Sequence, residues 1–376
     1  MSDFAKRAET LAAGYLPRTE LQRLLDALVS TGYRCVGPRV RDGAIQYLPL
    51  DRADEFPVGV RDHQEPGSYR VEVVDDERCF AWANGPQALK PLTFAPDEVL
   101  WQFSADASDL SFTTPTRAHP MTAVIGVRGC DLAALRLQEA HFLAPGNRDP
   151  AYAARREALF LVGVDCSHPA ATCFCTSTGD GPSLGSGYDL ALTELDDGFL
   201  VWRGSRLADA VLATLDLPPA DAQLLRRAKD QQAQAAAAQQ RRMPAPQRLM
   251  GLMQRLDHAQ WDDVAARCLG CGNCTAVCPS CFCSSHRAEP ALDGLSGSQV
   301  RSWDSCFTLE HSTMHGRPVR ADIRTRYRQW LTHKLAGWQS QYGRSGCVGC
   351  GRCITWCPVG IDLTAEAAAL LETDSA

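Results

Sequence analysis

The chain has 376 residues, a formal net charge of −6, and 45% hydrophobic against 22% charged residues, which is the balance of an ordinary globular protein of about two or three domains. The acidic charge argues against a protein that binds nucleic acid. Charges interrupt the apolar stretches of residues 1–17, and nowhere do about 18 apolar residues follow one another, so we expect neither a signal peptide nor a membrane span and place the chain in the cytoplasm.

Helical and strand patterns interleave in residues 1–217. Leucines at helical spacing predict a helix over residues 19–30. The runs AVIGV (123–127) and LFLVGV (159–164) predict buried strands, and residues 190–202 predict a hairpin that turns at Asp-Asp-Gly. We therefore expect a mixed α/β domain in this half of the chain.

Residues 218–245 are rich in Ala and Gln and end at prolines, which is typical of a solvent-exposed helical linker or of low-complexity disorder. We expect residues 246–376 to form a mostly helical domain with a long insertion at 284–346, whose tail at 322–338 has amphipathic helical spacing. The overall class is α+β. A basic stretch at 317–334 could offset the charge of a metal cluster, dock an acidic partner or form a solvated helix face.

The chain contains 17 cysteines, an odd number that cannot pair completely. In a reducing compartment, clustered cysteines indicate metal ligands rather than disulfides. The runs CLGCGNCTAVCP, from Cys268, and CVGCGRCITWCP, from Cys347, both match C-x2-C-x2-C-x3-C-P, the pattern of bacterial ferredoxins. Three cysteines two residues apart let one tight loop surround three corners of a cubane, and the glycines between them permit the backbone conformations that such a loop needs.

The sequence thus predicts that residues 246–376 form a ferredoxin-like domain with two [4Fe–4S] clusters. In proteins with two clusters the fourth cysteine of each run binds the other cluster. The predicted ligands of the first cluster are Cys268, Cys271, Cys274 and Cys357, and those of the second are Cys347, Cys350, Cys353 and Cys278. The alternative is a pair of structural zinc sites, because C-x2-C pairs also build zinc ribbons.

Other cysteines lie outside these runs. Cys130 follows the first predicted buried strand, and Cys166, Cys173 and Cys175 follow the second. Because chemistry in open α/β sheets gathers at the carboxyl ends of strands, these four could hold a third cluster. They could equally be small buried hydrophobes. For Cys281, Cys283 and Cys306 the roles left open are spare ligand, redox-active thiol pair and buried structural residue.

The chain resembles the family that contains the beta subunit of cytoplasmic nickel–iron sulfhydrogenases and an iron–sulfur subunit of anaerobic sulfite reductase. The segments that carry the resemblance cover most of the chain from about residue 120 onward: GVRGCDLAAL (126–135), CSHPAATCFCTSTGDGP (166–182), CLGCGNCTAVCPSCFC (268–283), WDSCF (303–307) and CVGCGRCITWCPVGIDL (347–363). The CDLAAL and CFC segments make it more specific than the ferredoxin runs alone.

The resemblance implies an iron–sulfur subunit that relays electrons between a flavin subunit, which meets NAD(P)H, and a separate catalytic subunit. That catalytic partner would be a nickel–iron hydrogenase or, as the alternative, a sulfite reductase. The sequence has no motif for nickel, siroheme or flavin, so we expect no catalysis by the chain alone. A thiol-active reductase that uses the CFC cysteines is a further alternative.

Overall fold

In the computed structural model of the protein the described residues are 14–106, 108–115 and 118–372. Most of the segment on which the signal-peptide argument rested, residues 1–13, lies outside them. Within these ranges, none of the helices has the length and apolar character that a membrane crossing requires.

The described strands differ in length. In chain order they are β1 (Gly14–Pro17), β2 (Arg34–Arg41), β3 (Ala44–Pro49), β4 (Val60–Glu65), β5 (Ser68–Val73), β6 (Asp97–Ala105), β7 (Leu110–Thr113), β8 (Thr122–Val127), β9 (Leu159–Val164), β10 (Leu190–Glu194), β11 (Gly198–Arg203), β12 (Ser284–Pro290), β13 (Ser296–Trp303), β14 (Thr313–Met314) and β15 (Arg317–Pro318).

The described helices include several single turns. They are α1 (Leu21–Ser30), α2 (Lys90–Thr93), α3 (Gly129–Phe142), α4 (Pro150–Glu157), α5 (Cys175–Thr178), α6 (Ala208–Leu215), α7 (Ala222–Ala237), α8 (Pro246–Leu249), α9 (Gln260–Arg267), α10 (Asn273–Ala276), α11 (Ile323–Thr332), α12 (Trp338–Tyr342), α13 (Arg352–Thr355) and α14 (Leu363–Leu371). Short 3-10 turns occur at Arg18–Glu20, Ala53–Glu55, Met250–Gln254 and Glu310–Ser312, and a π-helical turn at His333–Gly337 joins α11 to α12.

The largest sheet has the order β1-β11-β10-β9-β8-β2-β3. Its centre, β2, β8, β9 and β10, is parallel, and β3, β11 and β1 add antiparallel edges. The predictions of helix α1, of strands β8 and β9 and of the hairpin β10–β11 are confirmed. Because β8 and β9 are buried on both faces, their sequences are continuous apolar runs rather than alternating ones.

Successive residues of these strands enter different cores. Ile125 and Val162 pack on one face of the sheet, which α1 and α6 cover. Val124 and Leu161 pack on the other face, where they meet side chains of α3, α4 and α7. The sheet is therefore a layer between helices, and the ends of its parallel strands are free to carry a site.

The segment between the two cysteine runs contributes strands that the sequence analysis did not predict. β12 and β13 form a hairpin, and β13 pairs antiparallel with β6 of the N-terminal half. Behind this pairing, Glu98 bridges Arg155 and Arg301, with 2.6 Å between Arg301 Nη2 and Glu98 Oε2. The two halves of the chain thus share a sheet and a buried ion-pair network, while the domain limits at residues 217 and 245 stay a prediction.

Helix α7 confirms the helical prediction for the Ala/Gln-rich segment. The expectation that this helix is solvent-exposed is wrong, because one side of it packs on the sheet through Ala228 and buries Gln232. Just after the helix, Gln239 is buried too, and its amide reaches the N-terminal cysteines. Both glutamines accept hydrogen bonds inside the protein, Gln232 from Ser183 and Gln239 from Thr176.

The predicted amphipathic helix of the insertion is confirmed as α11, followed by the π turn and α12. Its apolar side, which includes Trp330 and Leu331, packs with α9 and α14 around the cysteine runs. This apolar cluster surrounds the ligands that the sequence predicts.

Candidate metal centres

The predicted ligands of the first cluster line one cavity. Cys268 ends helix α9, Cys271 and Cys274 flank the start of α10, and Cys357 follows α13. All four line the same cavity, together with the apolar side chains of Phe307, Tyr327, Trp330 and others. Cys357 comes from the second run, and so does Cys353, which lines this cavity too, so the crossed assignment of ligands stays a prediction.

The loop of the first run turns tightly because two of its residues are glycines. Gly270 has φ +64° and Gly272 has φ +77°, values that favour glycine. The turn lets the Gly270 amide donate to Cys268 Sγ over 3.4 Å. Such N–H to sulfur contacts stabilise a thiolate.

The predicted ligands of the second cluster line another cavity. Cys347, Cys350 and Cys353 come from the second run and Cys278 from the first. Deep burial raises the pKa of Cys347 to about 12. A buried neutral thiol of this kind becomes a thiolate readily only when a cation or metal compensates its charge.

Two buried ammonium groups lie beside Cys278. Burial would lower the pKa of Lys334, but the nearby thiols of Cys278 and Cys281 outweigh it and raise that pKa. On the other side, Lys90 donates to the carbonyl of Thr275 over 3.2 Å. A hydrogen bond with Cys281 and the charges of both lysines hold the pKa of Cys278 well below its usual range. This part of the second cavity therefore favours negative sulfur.

The first two cavities are neighbours. They share a wall that is formed by three residues, Trp330, Cys353 and Leu363. Of the four predicted ligands of the first cluster, only Cys271 is an exposed residue, whereas Cys350 in the second cavity is buried. The pair of cavities thus leads from the protein surface inward.

Cys130, Cys166, Cys173 and Cys175 also come together around one cavity. Cys130 lies in the first turn of α3 directly after β8, and Cys166 follows β9, so the carboxyl ends of two adjacent parallel strands bring them together. This is the convergence that the sequence analysis considered. The order of the strands therefore gathers four thiols at one edge of the large sheet.

The second cysteine run contacts the loop of Cys173 and Cys175 through two glycines, which have no side chain. A Cβ atom on Gly349 would stand 2.5 Å from Cys175 Cα, and one on Gly351 would stand 2.5 Å from the carbonyl oxygen of Thr172. The Phe174 amide donates to the Gly349 carbonyl over 2.8 Å. The second motif therefore docks directly on the loop that carries the CFC segment of the N-terminal half.

The remaining cysteines of the C-terminal half form two contacts. Cys281 lies close to Cys278, and hydrogen bonding between the two raises the pKa of Cys281 well above its usual range. Cys283 Sγ lies 3.7 Å from Cys306 Sγ. The hydrogen bond that His311 donates to Cys283 raises the pKa of His311 to about 9. His311 Nδ1 also lies 2.8 Å from Asp304 Oδ2. The structure thus pairs Cys283 with Cys306 rather than with Cys281.

Comparison with known proteins agrees with this geometry. The model of the 4Fe-4S dicluster domain matches residues 267–361. The beta subunit of sulfhydrogenase 2 from Pyrococcus furiosus is 33% identical over 252 residues, which cover 64% of this chain and 71% of that subunit. The chain belongs to the family of sulfhydrogenase beta subunits. No solved structure matches it.

For a member of the sulfhydrogenase beta family, the residues present fit an iron–sulfur cluster. A 4Fe-4S domain implies at least one [4Fe–4S] cluster, and the donor set is all thiol, which suits iron–sulfur chemistry. Among the described residues, no group of three or more His, Cys, Asp or Glu side chains is arranged to hold a single metal ion. What the cysteines surround instead are two cavities.

Sequence reasoning missed several groups around these cavities. Lys334 belongs to the basic stretch for which a solvated helix face was one interpretation, yet it is buried against the second cavity. Lys90 and Gln239 carried no motif at all. A single lysine after an amphipathic helix gives no local signal of its depth, because the π turn that follows α11 decides which way it points.

Proposed function

We propose that this chain is the iron–sulfur electron-transfer subunit of a cytoplasmic nickel–iron hydrogenase complex. It would relay electrons between a flavin subunit that meets NAD(P)H and a catalytic subunit. The observation that carries the proposal is a pair of neighbouring cavities, each lined by one predicted set of four cysteine ligands, with a common wall of Trp330, Cys353 and Leu363. Two [4Fe–4S] clusters bound there would supply one-electron transfer.

The residues of the chain have distinct tasks in this relay. Cys278 and Cys357, each bound to the cluster of the other run, would tie the two cysteine runs together. The aromatic side chains around them would keep water out. Lys334 and Lys90 offset negative charge beside Cys278. The exposed Cys271, next to the largely exposed Leu269, marks the edge at which we expect a partner subunit to dock.

The test compares two assays on the reconstituted complex. Cys347→Ala removes a ligand of the second cavity, so hydrogen production driven by NAD(P)H should be abolished. An artificial dye that donates directly to the catalytic subunit bypasses the relay, so dye-driven turnover should persist. The chain alone should neither split hydrogen nor oxidise NAD(P)H.

The matched control is Cys35→Ala, because Cys35 is a buried thiol in the apolar core beside α1. It should leave both assays unchanged. NAD(P)H-linked turnover that survives Cys347→Ala would mean that electrons take another route. Loss of dye-linked turnover in an assembled complex would mean that the chain carries part of the chemistry itself.

The same relay in an anaerobic sulfite reductase complex is the alternative, since it would require only another catalytic partner. The identity to a subunit named for a sulfhydrogenase favours the hydrogenase. Copurification of the native complex, followed by assays of hydrogen evolution and sulfite reduction, separates the two. Sulfite reduction without hydrogen evolution would select the alternative.

A thiol-active reductase is a second candidate function, and the proximity of Cys283 to Cys306 favours it. Two thiols at this spacing could form a disulfide and return to thiols by gaining two electrons and two protons. Cys306→Ala prevents that cycle without touching either predicted ligand set. Full NAD(P)H-linked turnover in this variant would exclude the thiol mechanism.

A further inference from the structure

The cavity at the carboxyl ends of β8 and β9 has no part in the proposed relay. Besides Cys350, four cysteines from three places in the N-terminal half line it: Cys130 on α3, Cys166 after β9, and Cys173 and Cys175 at α5. All four are buried. The cavity is about as large as the second cavity.

Groups that stabilise negative sulfur surround this cavity. Arg128 lines it, is buried, and donates to the carbonyls of Phe80 and Trp82 over 2.9 and 2.6 Å. Its guanidinium therefore brings a positive charge to the wall while its hydrogen-bonding groups point to neutral partners. From the other side, the Gln239 amide donates to Cys175 Sγ over 3.2 Å.

Buried cysteine alone does not require such surroundings. Cys35, for comparison, packs among leucines of the apolar core and faces none of the three cysteine-lined cavities. At the third cavity, by contrast, four thiols share a space with a buried cation and an amide donor. Since a buried thiolate needs compensating charge, this arrangement is suited to thiolates that bind iron.

The third cavity also adjoins the second. Cys350, a predicted ligand of the second cluster, lines both. The three cavities therefore follow one another, with Cys353 between the first and second and Cys350 between the second and third.

We propose that Cys130, Cys166, Cys173 and Cys175 bind a third [4Fe–4S] cluster, with Arg128 offsetting its negative charge. The site does not depend on which partner the chain serves. It extends the two predicted cluster sites from the ferredoxin-type region into the N-terminal α/β half.

The test is iron stoichiometry and Mössbauer spectroscopy on the full chain, purified without oxygen and labelled with ⁵⁷Fe. Three filled sites give about twelve irons per chain. Cys166→Ser should lower this to about eight, because Cys166 lines only the third cavity. The lost signal should be that of one [4Fe–4S] cluster. Cys35→Ala is the matched control and should keep about twelve.

A wild-type count of about eight irons that Cys166→Ser leaves unchanged would overturn the third site while the two-cluster relay stands. About one zinc per chain that disappears in Cys166→Ser would overturn it in favour of a zinc site. The wild-type count decides the matter even where the variant fails to fold. Fewer than about eight irons in the wild type would instead count against the relay clusters themselves.

Discussion

Replacing Cys357 with serine should damage the cluster of the other run. Cys357 belongs by sequence to the second run, but its thiol lines the first cavity with Cys268, Cys271 and Cys274. Loss of this ligand should therefore cost about four irons per chain, the content of one [4Fe–4S] cluster. The second cavity keeps all its predicted ligands, so its cluster should remain.

The assay combines iron analysis with paramagnetic resonance of the reduced protein, and double variants supply the decisive comparison. Adding Cys271→Ser to Cys357→Ser should remove no further iron, because both changes affect one site. Adding Cys347→Ser should remove about four more. If Cys357→Ser instead gave the spectrum of Cys347→Ser, and the two together lost no more iron than either alone, the ligands would not cross.

Three further outcomes follow from buried charge and from the coupling of metal binding to folding. Lys334→Met removes a buried positive charge beside Cys278, so the reduction potential of the second cluster should fall in a redox titration while its iron content stays the same. Glu98→Gln leaves Arg155 and Arg301 short of their carboxylate and should cost about 3–5 kcal/mol, seen as a lower urea midpoint. The exposed pair of Arg203 and Asp209 is the control, and Asp209→Asn should hardly move that midpoint. Chelation of iron should make the chain beyond about residue 260 sensitive to protease while the N-terminal sheet resists, because the ligand loops fold around their metal. Equal proteolysis with and without iron would contradict this.

Strands and turns whose conformation depends on neighbouring residues could be predicted from the sequence. The apolar runs of β8 and β9 are long and β-branched, and the Asp-Asp-Gly turn sets the hairpin β10–β11. The cysteine runs predicted which thiols would meet at the first two cavities, because their spacing is that of a known loop. Their metal content remains a prediction.

Contacts between distant segments could not be predicted in the same way. Nothing in residues 296–303 says that this strand pairs with β6, nearly two hundred residues earlier, because an antiparallel edge accepts many partners. The solvent exposure expected for helix α7 was wrong for a related reason, because its covered side packs against segments distant in sequence. Its Ala and Gln residues are typical of an exposed helix, and only the partners of Gln231 and Gln232 explain why one side is covered.

Gly349 lets the backbone of the second cysteine run lie directly against the loop that carries Cys173 and Cys175. Its α-carbon side is filled by the backbone of Cys175, and even a methyl group would collide there. Electron tunnelling slows steeply as the gap between donor and acceptor widens. An alanine at this position would therefore do more than strain a turn: it would move the second motif away from the CFC loop and lengthen the path between them. With clusters bound in the second and third cavities, the length of this path would set how fast an electron crosses from one half of the protein to the other.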